Sequence, residues 1–281
     1  MAKQYYCLVA SLREYTLDTD RKGFDAVAIR REIEEELSDR DRETVRLFYR
    51  FYDIENLVSR MNGRSRFNAL GNLTEAELAE AIEHPAELPP FMRDTLDAYR
   101  NPDNAEYEDT DTSVAIEHTL LTRYYETCAR SRNRFVREWY AFDQNLRNVC
   151  AAYAARKAEI PVESVTVGRN EITDALARSS AADFGLRGEL DYLDPVVAAM
   201  QNDENLVDKE HKIDMIRWNM ADELTTFDYF DLNRILAYLV KVNIIHRWAA
   251  LDPERGRAMY DRLIAELSSR DILEQAEQNK E

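Results

Sequence analysis

The sequence predicts an all-α fold built from a repeated helical unit. Glycine and proline are scarce, with 7 of each among 281 residues, whereas sheets need glycine in their turns and bulges. The abundant residues alanine, leucine, glutamate and arginine are strong helix formers. A motif that runs from an aromatic residue through aspartate to asparagine also recurs at nearly constant spacing, which is typical of helical repeats.

The motif occurs three times, and its aspartates lie 90 and then 88 residues apart. Aspartate and asparagine are poor helix-interior residues, because their side chains compete for backbone hydrogen bonds. The first and third copies share apolar positions around the aspartate, whereas the second copy is phased differently. The copies are Tyr52, Asp53 and Asn56; Phe142, Asp143 and Asn145; and Phe230, Asp231 and Asn233.

We expect three units, at residues 1–100, 101–182 and 183–281. The polar, acidic stretch 101–112 is the best candidate for a linker or loop. In the first unit, the apolar run 4–12 fits a strand or the first turns of a helix. Helices are expected at 22–37, at 42–62 with apolar residues around much of its circumference, and at 74–83 after the capping box of Thr74 and Glu77.

The second and third units are expected to be helical as well. Residues 112–158 form either one long helix or two helices broken near Arg130–Asn133, and a short helix follows at about 168–179. Residues 183–191 are looser, and Asp194-Pro195 begins the next helix. Further helices are expected at 208–225, 228–249 and 252–268, before a polar tail at 270–281.

The formal net charge of −17 disfavours nucleic-acid phosphate and anionic lipid as primary partners, and it suits a basic protein partner. No stretch of about 20 apolar residues occurs, so no membrane-spanning segment is expected. The three cysteines lie far apart in no metal-type spacing. They are expected to be reduced and mostly buried thiols of a cytosolic protein.

The repeated Asp and Asn residues allow two interpretations. They could form a ligand, metal or partner site from equivalent positions. Alternatively, each aspartate pairs with a nearby arginine and locks a helix junction, which is the commoner use of a buried carboxylate. The local candidates for that pairing are Arg46, Arg60, Arg147 and Arg234.

Motifs of catalysis are missing from the sequence. It contains no glycine-rich phosphate loop, no nucleophile elbow and no zinc-protease motif. Glu117-His118 and Glu210-His211 are adjacent pairs, which point about 100° apart on a helix and do not suit a di-iron site. We therefore expect a protein without catalytic residues, cofactor or metal. The tryptophans at 139, 218 and 248 are expected in the core.

The motif resembles that of a known family, the C subunit of the V/A-type rotary ATPases, whose eukaryotic counterpart is the d subunit. The run YDIENL at 52–57 is similar to that family's Tyr-Asp-x-x-Asn-Leu helix, and DQNL at 143–146 is a departure from its second-unit pattern. The run QYYCLV at 4–9 is similar to the Tyr-rich stretch with which that family enters its first helix. More closely, YYCLVASL at 5–12 and FDYFDLNRILAYLVK at 227–241 look like those of an uncharacterised bacterial branch found among V-type ATPase components.

The resemblance implies a funnel of three helical units related by a pseudo-threefold axis. A protein of this kind has no cofactor and performs no catalysis. It caps the cytoplasmic face of the membrane rotor ring, receives the tip of the central shaft and couples ATP turnover to ion movement. The chain would then be cytoplasmic and peripheral at the inner face of the cell membrane. Two alternatives stay open: a helical scaffold or adaptor unrelated to the ATPase, and an enzyme built on a helical bundle.

Overall fold

The computed structural model describes residues 3–17, 23–101, 112–201 and 205–250. Within these ranges the regular secondary structure is helical throughout and contains no strand. Two short 3-10 helices, Pro85–Glu87 and Val162–Ser164, accompany the α-helices. The α-helices are α1 Tyr6–Ser11, α2 Ala26–Glu36, α3 Asp39–Met61, α4 Glu75–Glu83, α5 Pro90–Arg100, α6 Thr112–Ala129, α7 Arg134–Lys157, α8 Glu171–Arg178, α9 Leu193–Met200, α10 Leu206–Glu223 and α11 Leu232–Ala250.

The all-α prediction is confirmed for the described residues; the structure decides two alternatives that the sequence left open and adds one helix. The run 4–12 is helical in α1, and the stretch 112–158 is two helices, α6 and α7, broken where the sequence indicated. The helix α5 was not predicted; it begins at Pro90, whose fixed φ and missing N–H suit the first turn of a helix. Residues 102–111 of the expected linker, the expected helix at 252–268 and the tail at 270–281 lie outside the described residues.

Of the five described helices with 18 or more residues, α3, α7 and α11 fall one in each of the expected units, and α6 and α10 are the other two. Between α3 and α7 lies α6, while α2 and α10 pack on α11. The division into units at 1–100, 101–182 and 183–281 stays a prediction. The expected core tryptophans fit this arrangement: Trp139 and Trp248 are buried, and Trp218 packs half-buried against the core.

Hydrogen bonds join α3, α7 and α11 to one another. From α7, the hydroxyl of Tyr140 donates to the carbonyl oxygen of Phe48 in α3 at 2.6 Å. The hydroxyl of Tyr49, also in α3, donates to Oδ1 of Asn243 in α11 at 3.0 Å. Burial raises the pKa of Tyr49, so this hydroxyl keeps its proton and remains a donor. Each bond lies inside the protein, where an unmade partner is costly.

The α7 and α11 helices also meet where they begin. The Nδ2 group of Asn133 donates to Oδ1 of Asn233 at 2.9 Å, and Asn133 itself caps α7 by accepting the N–H of Val136. The guanidinium of Arg134 bonds to the carboxylate of Asp228 in the turn before α11. Together with the two tyrosine bonds, these contacts link α3 to α7, α3 to α11, and α7 to α11.

Removing the Tyr49 hydroxyl is expected to weaken the junction of α3 and α11. In Tyr49→Phe the Oδ1 atom of the buried Asn243 loses its donor, which costs about 1–3 kcal/mol of unfolding free energy. The matched control is Tyr229→Phe, because Tyr229 is 66% exposed and is expected to change stability by less than about 0.5 kcal/mol. Urea unfolding followed by circular dichroism measures both. Equal midpoints for the two variants would contradict the role given to this bond.

Candidate functional site

The first motif copy holds a loop against α3. The Asp53 side chain is fully buried, and its Oδ1 accepts the backbone N–H groups of Asn72 at 2.6 Å and Leu73 at 3.0 Å. Its Oδ2 accepts Nδ2 of Asn72 at 2.7 Å and lies 3.0 Å from the guanidinium of Arg50. The carboxylate is therefore both paired and hydrogen-bonded, as a buried charge must be. Its role is to fix the loop that leads into α4.

Asn56 holds the start of the same loop through a two-way amide bond. Its Nδ2 donates to the carbonyl oxygen of Asn68 at 2.9 Å, and its Oδ1 accepts the N–H of Asn68 at 2.7 Å. The same pair of bonds recurs in α7, where Asn148 donates to the carbonyl of Val167 at 3.0 Å and accepts its N–H at 2.8 Å. We call each of these two-way bonds an amide clamp.

The recurrence also includes the residue three positions before each clamp. Asn145 precedes Asn148 as Asp53 precedes Asn56, and each accepts an asparagine Nδ2: Asn145 from Asn170 at 2.9 Å, and Asp53 from Asn72. The hydrogen-bonding pattern therefore repeats at an offset of 92 residues (148 minus 56). The matching runs are DIENL at 53–57 and NLRNV at 145–149, so Asn145 corresponds to the aspartate of the first copy and not to its asparagine.

Gly71 is required by the close approach of this loop to α3. A Cβ atom there would lie 2.7 Å from Oδ1 of Asp53 and 3.1 Å from Nδ2 of Asn56. Arg30 of α2 holds the loop from the other side, and its guanidinium donates to the carbonyl of Leu70 at 2.6 Å and to that of Gly71 at 3.2 Å. The loop backbone is thus fixed by α2 and α3 together.

Asp143 has a different role from Asp53, although the sequence motif aligns them. Its Oδ2 accepts the hydroxyl of Tyr125 at 3.0 Å, and its Oδ1 accepts Nε of Arg217 in α10 at 3.2 Å. Its aromatic neighbour Phe142 is buried and packs edge-on against Tyr192. Asp143 therefore joins α7 to α10 and holds no loop.

The third copy lies at a helix start, which corrects the expectation that the helix runs from 228. The helix α11 begins at Leu232, because Oδ1 of Asp231 accepts the N–H groups of Asn233 at 3.0 Å and Arg234 at 3.3 Å, the bonds of an N-cap. Burial raises the pKa of Asp231, and those N–H donors act against the rise. Phe230 is 36% exposed and lies outside the helix, unlike Tyr52 within α3.

The aspartates of the first two copies are paired as the structural interpretation expected, but with other arginines. Asp53 pairs with Arg50, and Asp143 pairs with Arg217, a long-range partner that spacing along the sequence could not indicate. In the third copy, Asp231 accepts the backbone N–H of Arg234, whose guanidinium lies 3.6 Å from Asp222 instead.

A cleft of about 620 Å³ opens between α3, α7, α10 and α11, and we call it the central cleft. Its walls are aromatic, and Phe51, Tyr52 and Phe67 are only half-buried there. Burial raises the pKa of Tyr52, so its hydroxyl stays neutral. Four arginines and three acidic residues line the cleft: Arg66, Arg147, Arg217 and Arg247, with Glu55, Asp143 and Asp214.

A network of ion pairs lies beside the cleft. Arg217 bridges Asp143 and Asp214, and Oδ2 of Asp214 also accepts Nε1 of Trp248 at 2.8 Å and lies 3.3 Å from Arg247. Burial acts to lower the pKa of Arg217, but the two carboxylates more than offset it and the pKa is raised. The guanidinium therefore stays charged, and this part of the cleft is rigid and internally neutralised.

The three cysteines differ in how far they are buried. Cys128 is buried, and burial raises its pKa; Cys150 is half-buried, and burial raises its pKa to about 11. Cys7, in contrast, is exposed, and is the exception among the three thiols that were expected to be mostly buried. Among the described residues, no group of three or more His, Cys, Asp and Glu side chains is placed to hold a metal ion.

The described part of the chain is helical, and its recurring polar residues hold loops against long helices. The chain belongs to the DUF2764 family, described as proteins of unknown function, whose model matches residues 1–270. A search of curated proteins finds no match. In the described ranges, no helix is both long enough and apolar enough to cross a membrane.

The amide clamps are expected to need an amide. In Asn56→Asp or Asn148→Asp the side chain keeps its acceptor but loses the donor to the loop carbonyl, and a buried carboxylate faces that carbonyl. Each change is expected to cost about 2–4 kcal/mol. Asn219→Asp is the control, since Asn219 is exposed within α10. Its unfolding free energy is expected to stay within about 0.5 kcal/mol of wild type. Chemical denaturation measures the unfolding free energy of all three variants. A control as destabilised as the clamp variants would count against the role given to the clamps.

Asp231→Ala is expected to lower the melting temperature through loss of the α11 cap. Removing a helix cap costs about 0.5–2 kcal/mol, less than is expected for either clamp. Asp97→Ala is the control, because Asp97 is exposed inside α5 and caps no helix. Differential scanning calorimetry compares the melting temperatures of the two variants. An Asp231→Ala protein that melts with wild type and fails only in partner binding would show that the residue serves a partner and not the helix.

Proposed function

We propose that the chain is a non-catalytic subunit of a V/A-type rotary ATPase that couples the central rotating shaft to the membrane rotor ring during ion transport. The proposal starts from the resemblance of residues 52–57 and 4–9 to the ATPase C subunit and its bacterial branch. The observation that carries it further is that a long helix from each expected unit, α3, α7 and α11, lines one central cleft, together with α10 from the third expected unit.

The bonds among these helices support a pseudo-threefold, funnel-like arrangement. Tyr140 links α7 to α3, Tyr49 links α3 to α11, and Asn133 links α7 to α11, so every pair is joined. On each helix the cleft-lining residues follow the i, i+3, i+7 spacing of one face: Phe48, Phe51 and Glu55; Tyr140, Asp143 and Arg147; Val240, Asn243 and Arg247.

The recurring clamps support a repeated unit rather than three unrelated helices. In both α3 and α7 an asparagine followed by leucine or valine holds the loop that leads to a short capped helix, α4 or α8. A unit made of a long helix, a clamped loop and a short helix, used twice in the described part of the chain, is what repetition of a structural unit along the sequence produces. A third such unit on α11 would complete the funnel.

In this role the central cleft receives the tip of the shaft, and another end of the molecule contacts the ring. The protein needs neither cofactor nor catalytic group, because it transmits torque and carries out no reaction. It would work in the cytoplasm, peripheral at the inner face of the cell membrane and held there by protein contacts.

A helical scaffold or adaptor unrelated to the ATPase is the second candidate. The observation that favours it is a turn before α11 that exposes aromatic side chains, with Phe227 86% and Tyr229 66% exposed and Tyr6 packed against Phe230 at 4.9 Å. Exposed aromatic clusters of this kind are frequent anchors in protein interfaces.

Affinity purification from gently solubilised native membranes tests the two candidates. We expect the tagged full-length chain to recover the catalytic, shaft and ring subunits of a rotary ATPase in stoichiometric amounts, identified by mass spectrometry. The same tag on an unrelated cytosolic protein is the control. Recovery of other proteins without ATPase subunits, lost in a Phe227→Ser/Tyr229→Ser variant, would reject the ATPase role and favour the adaptor.

A further inference from the structure

A basic surface borders the central cleft of this acidic protein. The chain carries 54 acidic and 37 basic residues, yet between Glu55 and Glu75 there is no acidic residue and three arginines, Arg60, Arg64 and Arg66. Arg66 lines the cleft directly. The local charge at this edge is therefore opposite in sign to that of the molecule as a whole.

The backbone that carries these arginines is fixed. The N–H of Arg64 donates to the carbonyl of Ser59 at 2.9 Å, and the hydroxyl of Ser59 donates to the carbonyl of Arg66 at 2.7 Å. Gly63 takes a φ of +66°, which allows the chain to turn out of α3, and the Asn56 clamp holds residue 68. A loop already held in place loses little entropy when a partner binds it.

The charges on this loop are available to a partner. Arg64 and Arg66 are exposed, and neither makes an ion pair within 4.0 Å of a described residue; the charge of Arg66 does act on Glu55, where it opposes the rise in pKa that burial causes. Beside them, Arg147 of α7 is half-exposed and lies 3.3 Å from Glu117. We call Arg64, Arg66 and Arg147 the arginine lip; together they line a second cavity of about 230 Å³ that adjoins the central cleft.

The nearby carboxylates do not cancel the lip. Glu55 and Glu117 line the same small cavity, so three guanidinium groups face two carboxylates. Asp143 and Asp214, deeper in the cleft, are already paired with Arg217. The surplus positive charge is thus concentrated at the exposed edge, where it can meet an incoming anion.

The wall next to the lip is aromatic. Phe51, Tyr52 and Phe67 are half-buried on the cleft surface, with Arg66 and Asn68 adjoining them in the same cavity. Such a surface suits an apolar side chain whose neighbours carry negative charge. A polynucleotide would suit it less, because its phosphates would meet the field of a chain with net charge −17.

We propose that the arginine lip and the central cleft together bind an acidic segment of a partner protein, in which aspartate or glutamate residues flank an apolar anchor. The anchor packs on the aromatic wall formed by Phe51 and Tyr52, whose rings contact each other edge-on, and the carboxylates pair with Arg64 and Arg66. This inference rests on the proposed function, since it gives the chemistry of the shaft segment that enters the same cleft.

Two rhodamine-labelled peptides of about 14 residues test this directly, one with Glu flanking Leu and Phe anchors and one with Lys in place of every Glu. They are titrated into the full-length protein and followed by fluorescence anisotropy. On a protein with net charge −17, non-specific attraction favours the Lys peptide. Tighter binding of the Glu peptide, weakened at least about tenfold between about 50 and 300 mM NaCl, is therefore the expected result.

The variant Arg64→Glu/Arg66→Glu is expected to weaken binding of the Glu peptide at least about tenfold. The matched control is Arg40→Glu/Arg132→Glu, which reverses the charge of two exposed arginines outside the cleft. Its affinity for the Glu peptide is expected to stay within about twofold of wild type. Circular dichroism melting checks that both variants are folded. Tighter binding of the Lys peptide, or equal effects of the two double variants, would overturn the inference.

Titration of the shaft subunits from the same genome separates the inference from the proposed function. Shaft binding that is lost in Arg64→Glu/Arg66→Glu supports both. Shaft binding that is unchanged in this variant retains the ATPase role and rejects the binding role of the arginine lip. Binding of the Glu peptide through the lip without any binding of the shaft retains the acidic-segment site and rejects the ATPase role.

Discussion

The structure depends on polar side chains inside helices that satisfy the backbone of a loop. An amide in the position of Asn56 or Asn148 can donate to a carbonyl and accept from the N–H of the same residue, so it removes two buried, unpaired groups at once. Once the loop is fixed in this way, Gly71 must approach within contact of α3, and Arg66 must emerge beside the cleft. The position of the candidate site therefore follows from the clamp.

Helix content and most helix positions could be predicted from composition, caps and apolar spacing, because these signals are local. The register of the second motif could not. Asp143 looked like the counterpart of Asp53, yet the loop bonds are made by Asn145 and Asn148. An asparagine oxygen accepts a hydrogen bond as a carboxylate does, so the pattern of bonds is kept while the letters of the motif shift by two residues.

The third motif was wrongly placed inside a helix for a different reason. Aspartate is favoured at the first residue before a helix, so an aromatic-Asp string arises at a helix start as readily as within a repeat. Asp231 caps α11, and the two aromatic residues before it, Tyr229 and Phe230, are exposed in a turn. The apolar positions after it, Leu232, Leu236 and Leu239, are buried in α11 and keep the expected helical spacing. The ion pair of Asp143 with Arg217 joins residues 74 positions apart, a contact that only the packing of α10 on α7 creates.

The net negative charge of this protein favours a basic partner, whereas the local positive charge of the arginine lip favours an acidic one. The distance between the two proteins decides which of the two charges dominates. Before contact, at separations up to a Debye length of about 8–10 Å, a partner responds to the net charge of −17, and a basic molecule is attracted; salt screens this attraction at larger separations. At contact, Arg64 and Arg66 dominate, and a carboxylate is attracted to them while a cation is repelled. A partner that is basic along its length and acidic at the inserted segment satisfies both conditions, so orientation as well as binding would be set by charge.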